Sequence, residues 1–260
     1  MILRAVLATT LAGALGAMFG LWLLSLRLRD ASIVDIWWGP GCAGVVALAF
    51  ALAGIGAHPR AVVLLGMATL WGLRLGGYLL WRNAGRGEDQ RYQAMRRHFG
   101  PRFPWLSLVT VFGLQGVLQW TVVLPLQLGA LDPGLPALGV LDAVGLALFA
   151  FGLCFETVGD LQLARFRSDP AQQGRVLDRG LWRYTRHPNY FGDCAAHWGM
   201  FVVALATGWG FAGAIGPLVM TLLLLRVSGV ALLERSIGKR RPGYADYQRR
   251  TSRFIPWLPP

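Results

Sequence analysis

The sequence predicts an all-α integral membrane protein, a bundle of seven transmembrane helices. Three observations carry that expectation. Of the 260 residues 55% are hydrophobic, with mean hydropathy +0.47, whereas soluble domains run at roughly 45–50% apolar. The apolar residues fall in blocks near the ~20-residue length that crosses a bilayer as a helix. Charge alternates strongly from one connection to the next.

Taken in order, the first block, about 5–26, follows Arg4 and is closed by Arg27 and Arg29. It is longer than the ~7–15-residue core of a signal peptide and reads as a retained helix. The second, about 35–57, opens in "SIVDIWWGPG". The third (61–81), fourth (105–128), fifth (138–158), sixth (193–209) and seventh (211–233) follow. Of the 25 Lys and Arg, 21 lie in 27–32, 82–104, 159–191 and 235–260; the others are Arg4, Arg60, Arg74 and Arg226. The connections at 129–137 and around 210 carry none. Alternate connections are therefore basic, which the positive-inside rule places in the cytoplasm, with the amino terminus outside and the carboxyl terminus inside. The net charge of +12 thus reads as topology, with anionic headgroups as counter-charge, and not as nucleic-acid binding. One membrane-embedded domain over 1–260 is expected, as a monomer.

Cys42, Cys154 and Cys194 lack metal or disulfide spacing. The histidines lack a ligand pattern with a carboxylate or Cys, so no metal is expected. "GWGFAG" (208–213) matches G-x-G-x-x-G, but it lies in an outer turn with no preceding strand.

The polar connections 82–104 and 159–192 and the tail from 234 share one side, where they can cover a cavity. Charges within the spans are costly and face a partner or a polar cavity. Asp35 opens helix 2, either as its N-cap or as part of such a site. Arg74 lies in helix 3. Glu156 and Asp160 share one face at the end of helix 5, placed either to snorkel or to bind. Arg226 and Glu234 mark helix 7, and Arg74 and Arg226 also suit structural ion pairs. Glu88 and Asp89 read as surface charges. Trp105, Trp182, Trp198, Trp209 and Trp257 read as an interfacial belt.

The densest polar stretch is "RGLWRYTRHPNYFGD", residues 179–193. Arg175, Arg179, Arg183 and Arg186, with Tyr184, His187 and Asn189, form a donor-rich surface suited to phosphate oxygens. Pro188 stands where a helix can begin, and the N–H groups there favour an anion. Asn189 and Asp193, four apart, point the same way. A phosphorylated, nucleobase-bearing cofactor would use all of these; lipid binding alone leaves the Asn, His and Asp without a role.

"EDQRYQAMR", "LWRYTRHPNYFGD", "YADYQRRTSRFIPWLP" and "SIVDIWWG" together resemble the bacterial, DUF1295-type members of the steroid 5α-reductase family, relatives of sterol reductases and isoprenylcysteine methyltransferases. The resemblance spans nearly the whole chain. It implies NADPH held mainly by 150–260 under the cytoplasmic loops, and a steroid or similar lipid enone held mainly by 1–130. It places Glu156, Asp160, Arg165, Tyr184, Asn189, Asp193 and Arg226 around the cofactor, with Arg175, Arg183 and His187 alongside. Arg235, Tyr244 and Tyr247 would close that site from the tail. Trp37, Trp38, Trp71 and Arg74 would face the substrate. The family's Gln-Glu pair opening helix 2 is here Asp35 alone, and its helix 3 tyrosine is matched by Trp71, so Asp35 and Tyr78 are the candidate general acids. An S-adenosylmethionine-dependent methyltransferase is the competing expectation, weakened because "LLERS" holds the single Glu234 where that family has a Glu-Glu pair. A non-catalytic lipid-binding protein would leave the charges within the spans unused.

Overall fold

The computed structural model describes residues 2–54, 58–132, 137–227, 230, 234 and 243–258. Among these residues the chain is helical and forms no strand. The helices are α1 (Ile2–Leu28), α2 (Ile33–Ala53), α3 (Pro59–Asn83), α4 (Gln90–Phe99), α5 (Phe103–Ser107), α6 (Leu114–Val122), α7 (Leu124–Ala130), α8 (Val140–Ser168), α9 (Pro188–Leu205), α10 (Ile215–Leu222) and α11 (Tyr244–Arg250). π-helical stretches follow α5 (Leu108–Gly113) and α10 (Leu223–Val227).

Among the described residues, six helical stretches are long and apolar enough to cross a membrane: α1, α2, α3, Gln90–Val122, α8 and Gly210–Val227. The sixth sequence block, which becomes α9, is not among them. It has the length, 18 residues, but Asn189, Asp193 and His197 lower its hydropathy. The connection 82–104 also differs from expectation, because its second half is α4. The fifth helix runs on to Ser168, so Asp160 lies within it and not at its end, and Arg165 lies on a helix and not in a loop.

The chain forms two compact units, 1–139 with 204–216, and 140–203 with 217–260. In the first unit α1 buries a single stripe, Val6, Thr10, Ala14, Met18, Trp22 and Ser25. Its other faces carry exposed Leu15, Phe19, Leu23 and Leu24, which lipid, not water, would solvate. The helices α2 and α3 approach backbone to backbone, since a Cβ at Gly39 or Gly72 would strike the opposite glycine, and one at Gly76 would strike Pro40. Apolar solvent gives helices no hydrophobic reason to associate, and small residues that permit close van der Waals contact take over that role. Beside Pro40, which cannot donate to the helix ladder, Gln119 Nε2 donates to the carbonyls of Trp38 (2.8 Å) and Trp37 (3.3 Å).

The second unit repeats the device. Gly145, Gly152 and Gly159 stand at intervals of seven on α8, and Gly192 and Gly199 do so on α9. Side chains at these positions would collide with the facing backbone. The glycines thus bring the carboxylates of α8 close to the start of α9.

Candidate functional site

In the first unit the start of α2 is sewn to the start of α4. Gly85 and Gly87, at φ +72° and +69°, turn the chain after α3, and Asp89 caps α4 by accepting from Arg91 N at 2.9 Å. Arg91 and Tyr92 then reach back to α2. Arg91 Nη2 lies 2.5 Å from Asp35 Oδ2, and the Tyr92 hydroxyl donates to Asp35 Oδ1 at 2.7 Å. Gln115 Nε2 stands 3.4 Å from the same hydroxyl oxygen. Tyr92 belongs to a buried cluster with Met18, Trp22, Val34, Phe103 and Phe112, against which Trp37 packs. Asp35 is therefore not an N-cap: Ser32 precedes the helix, and the Asp35 carboxylate is bound by α4.

Glu88 and Asp89, expected as surface charges, have structural work. Glu88 accepts from Ala31 N at 2.9 Å and from Arg96 Nε and Nη2 at 3.0 and 2.7 Å. Asp89 also accepts from Arg91 Nε at 2.9 Å. Burial would raise both carboxyls, but the hydrogen bonds and charge of Arg96 and Ala31 N for Glu88, and of Arg91 for Asp89, outweigh it and lower them.

Tyr78 sits elsewhere in this unit, its ring 6.0 Å from that of Trp81 and flanked by the guanidinium groups of Arg74 (5.5 Å) and Arg82 (5.7 Å). The hydroxyl on Asp35 is that of Tyr92, which sequence reasoning missed although "EDQRY" contains it. Trp71 is core, 1% exposed, while Trp37, Trp38 and Arg74 are half-buried.

In the second unit Glu156 and Asp160 are buried on one face of α8. Asn189, in the first turn of α9, donates from Nδ2 to Asp160 Oδ1 at 3.0 Å. One turn on, Asp193 is 3.1 Å from His197 Nδ1. The short 3₁₀ turn Gly180–Arg183 is fixed to the last turns of α8 by Leu181 N donating to Gln162 Oε1 (3.0 Å) and Trp182 Nε1 donating to Gly159 O (3.1 Å). Gly180, at φ +63°, leaves room for the Gln162 amide. Arg165, Arg175, Arg179 and Arg183 are exposed in this region. Among the described residues, Arg165, Arg179 and Arg183 form no ion pair.

The other basic residues of the segment are used internally. Arg186 Nε and His187 Nε2 lie 3.1 and 3.4 Å from Glu234 Oε1, and Arg253 Nε lies 3.5 Å from Oε2. The His187 ring stacks on Tyr190. Burial lowers the His187 pKa against the pull of Glu234. Burial would raise Glu234, but the His187 hydrogen bond and the Arg186 charge hold it below its usual range. Tyr244 and Tyr247 are buried, and Tyr247 donates to Trp182 O at 2.5 Å. Tyr184 is half-buried, with its carbonyl accepting from Trp257 N at 3.0 Å. Arg226, expected to face a cofactor, is exposed on the second π-helical stretch. Arg235 lies outside the described residues.

Helices of this length and apolarity, interrupted by polar clusters near their ends, define a multi-pass α-helical membrane protein. The chain belongs to the family described as "Protein of unknown function (DUF1295)", whose model matches residues 21–251. No curated protein and no solved structure matches it significantly.

Proposed function

We propose that the protein is an NADPH-dependent reductase of the steroid 5α-reductase type, saturating the Δ4 double bond of a 3-oxo-steroid or similar lipid enone. The observation that carries this reading is the cluster at the end of α8: the Asn189–Asp160 pair and Glu156 beside exposed Arg165, Arg179 and Arg183. That set suits a dinucleotide. Guanidinium groups without an internal ion pair match phosphate oxygens, and buried carboxylates and an amide match ribose hydroxyls and a carboxamide. Membership of a family related to steroid 5α-reductase-like membrane proteins supports it further.

When bound, NADPH would supply a hydride to the substrate's β-carbon. The chain's own part is to stabilise the enolate oxygen by hydrogen bonding, where negative charge develops, until a proton delivered from water to the α-carbon completes the saturated ketone. In this reading Tyr92 takes the place of Tyr78. Its hydroxyl can turn from Asp35 to a ketone oxygen, while Arg91 keeps the carboxylate in place and Gln115 remains beside the phenol oxygen.

The test is a thermal-shift titration of the purified protein, followed by NADPH consumption with a 3-oxo-Δ4-steroid. NADPH should stabilise the protein and S-adenosylmethionine should not. Stabilisation by S-adenosylmethionine alone would mark the isoprenylcysteine-type methyltransferase instead, and stabilisation by neither would sink both.

A further inference from the structure

One amide in the first unit has donors to spare. The apolar stretch from α5 to α7 carries three glutamines, Gln115, Gln119 and Gln127, and polar side chains in such a stretch are costly unless they find partners. Two of them are satisfied. Gln119 is buried and bonds the carbonyls of Trp37 and Trp38. Gln127, equally buried, accepts from Thr10 Oγ1 at 2.7 Å and donates to Trp120 O at 3.1 Å. Gln115 is half-buried near the start of α6, just after the first π-helical stretch. Among the described residues its side chain bonds only the Tyr92 oxygen, 3.4 Å from Nε2.

The orientation of this amide follows from its neighbour. The Tyr92 hydroxyl donates to Asp35, so its oxygen is left as an acceptor and the amide faces it with an N–H. At 3.4 Å that bond is long, and an amide nitrogen has two N–H groups to offer. A carbonyl oxygen has two lone pairs, so it can accept from the Tyr92 O–H and a Gln115 N–H together. Donors 3.4 Å apart can each stand about 2.7–3.1 Å from one oxygen, the distance at which developing negative charge is stabilised. Tyr92 and Phe112, one turn before Gln115, belong to the same buried apolar cluster. Hydrogen bonds in so dry a setting are stronger than in water.

We propose that Gln115 is a second catalytic donor, its Nε2 joining the Tyr92 hydroxyl on the substrate's carbonyl oxygen as the enolate forms. The assignment rests on the reductase reading and on Tyr92 as the first donor. Gln115→Met keeps the length of the side chain and removes both N–H groups; because only one long bond is lost, the fold should hold. The variant should lower kcat for a 3-oxo-Δ4-steroid by about a hundredfold, the cost of one oxyanion donor. NADPH affinity, measured on the same sample, should stay at the wild-type value, and so should affinity for the Δ4-steroid that lacks the 3-oxygen. Gln115→Met should also lower kcat in a Tyr92→Phe background, because the amide reaches the ketone itself and does not act through the phenol. A wild-type rate in Gln115→Met beside a slow Tyr92→Phe would overturn the proposal and leave the reductase reading standing. So would a loss that vanishes in the Tyr92→Phe background, which would make Gln115 a positioning residue. A wild type that neither binds NADPH nor reduces the enone would remove both.

Discussion

Tyr92→Phe is the most informative substitution, because it removes one oxygen and leaves the packing of the ring intact. The lost hydroxyl donates to a carboxylate at 2.7 Å and lies 3.4 Å from the Gln115 amide. A hydrogen bond to a charged group is worth about 1.5–3 kcal/mol net. For a chain of this size ~2 kcal/mol corresponds to a loss of roughly 4–8 °C in Tm. The loss should shrink in an Asp35→Ala background, since that change removes the acceptor of the same bond and a double-mutant cycle would show the coupling. Activity should fall further than stability does. A missing proton donor costs about 10²–10⁴-fold in rate, and kcat for enone reduction should drop while NADPH affinity holds. Thermal unfolding in detergent and steady-state NADPH consumption measure the two effects separately. Tyr78→Phe is the control and should retain most of the activity. If Tyr92→Phe reduced the enone at the wild-type rate, or if Tyr78→Phe carried the loss instead, the assignment of Tyr92 would be wrong.

Other consequences follow from the second unit. Asn189→Ala should weaken NADPH about tenfold, the factor of one ~1.4 kcal/mol hydrogen bond, and titration calorimetry that found full affinity would remove Asn189 from the site. Gly152→Val places a side chain on the backbone of Gly192 and Ala196 and should cost about 1–3 kcal/mol or more, visible as a lowered Tm; Gly44→Ala, where a Cβ meets nothing, should be harmless. Acid should loosen the tail. Glu234 has a folded pKa below its ordinary 4.5, so its contribution is complete above that value and is lost as pH falls through the folded pKa. His187, lowered from 6.5 by burial, takes a proton more readily unfolded, so stability also declines as pH falls below 6.5. Proteolysis of the tail should therefore quicken between pH 7 and 4, and Glu234→Gln should already show much of that sensitivity at pH 7.

Composition and local periodicity carried the membrane helices and the faces they present. Long apolar blocks declared helices in a membrane, because hydrocarbon leaves the backbone no other partner for its polar groups. Pro188 marked the start of α9, and Glu156 and Asp160 fell on one buried face because four residues make about one turn. Which polar groups meet depends on contacts between residues far apart in the chain. Asp35 and Tyr92 are 57 residues apart, and their bond requires the Gly85–Gly87 turn and the Asp89 cap to aim α4 back at α2. No local pattern could prefer Tyr92 over Tyr78, since spacing does not tell which of the two tyrosines the fold brings to Asp35. Nor could it separate exposed Arg183 from buried Arg186, three residues later in the same basic run. That choice was made by Glu234, 48 positions further along the chain. A charge in a poor solvent goes to whichever partner the fold brings within reach, and reach across the fold is not written in spacing.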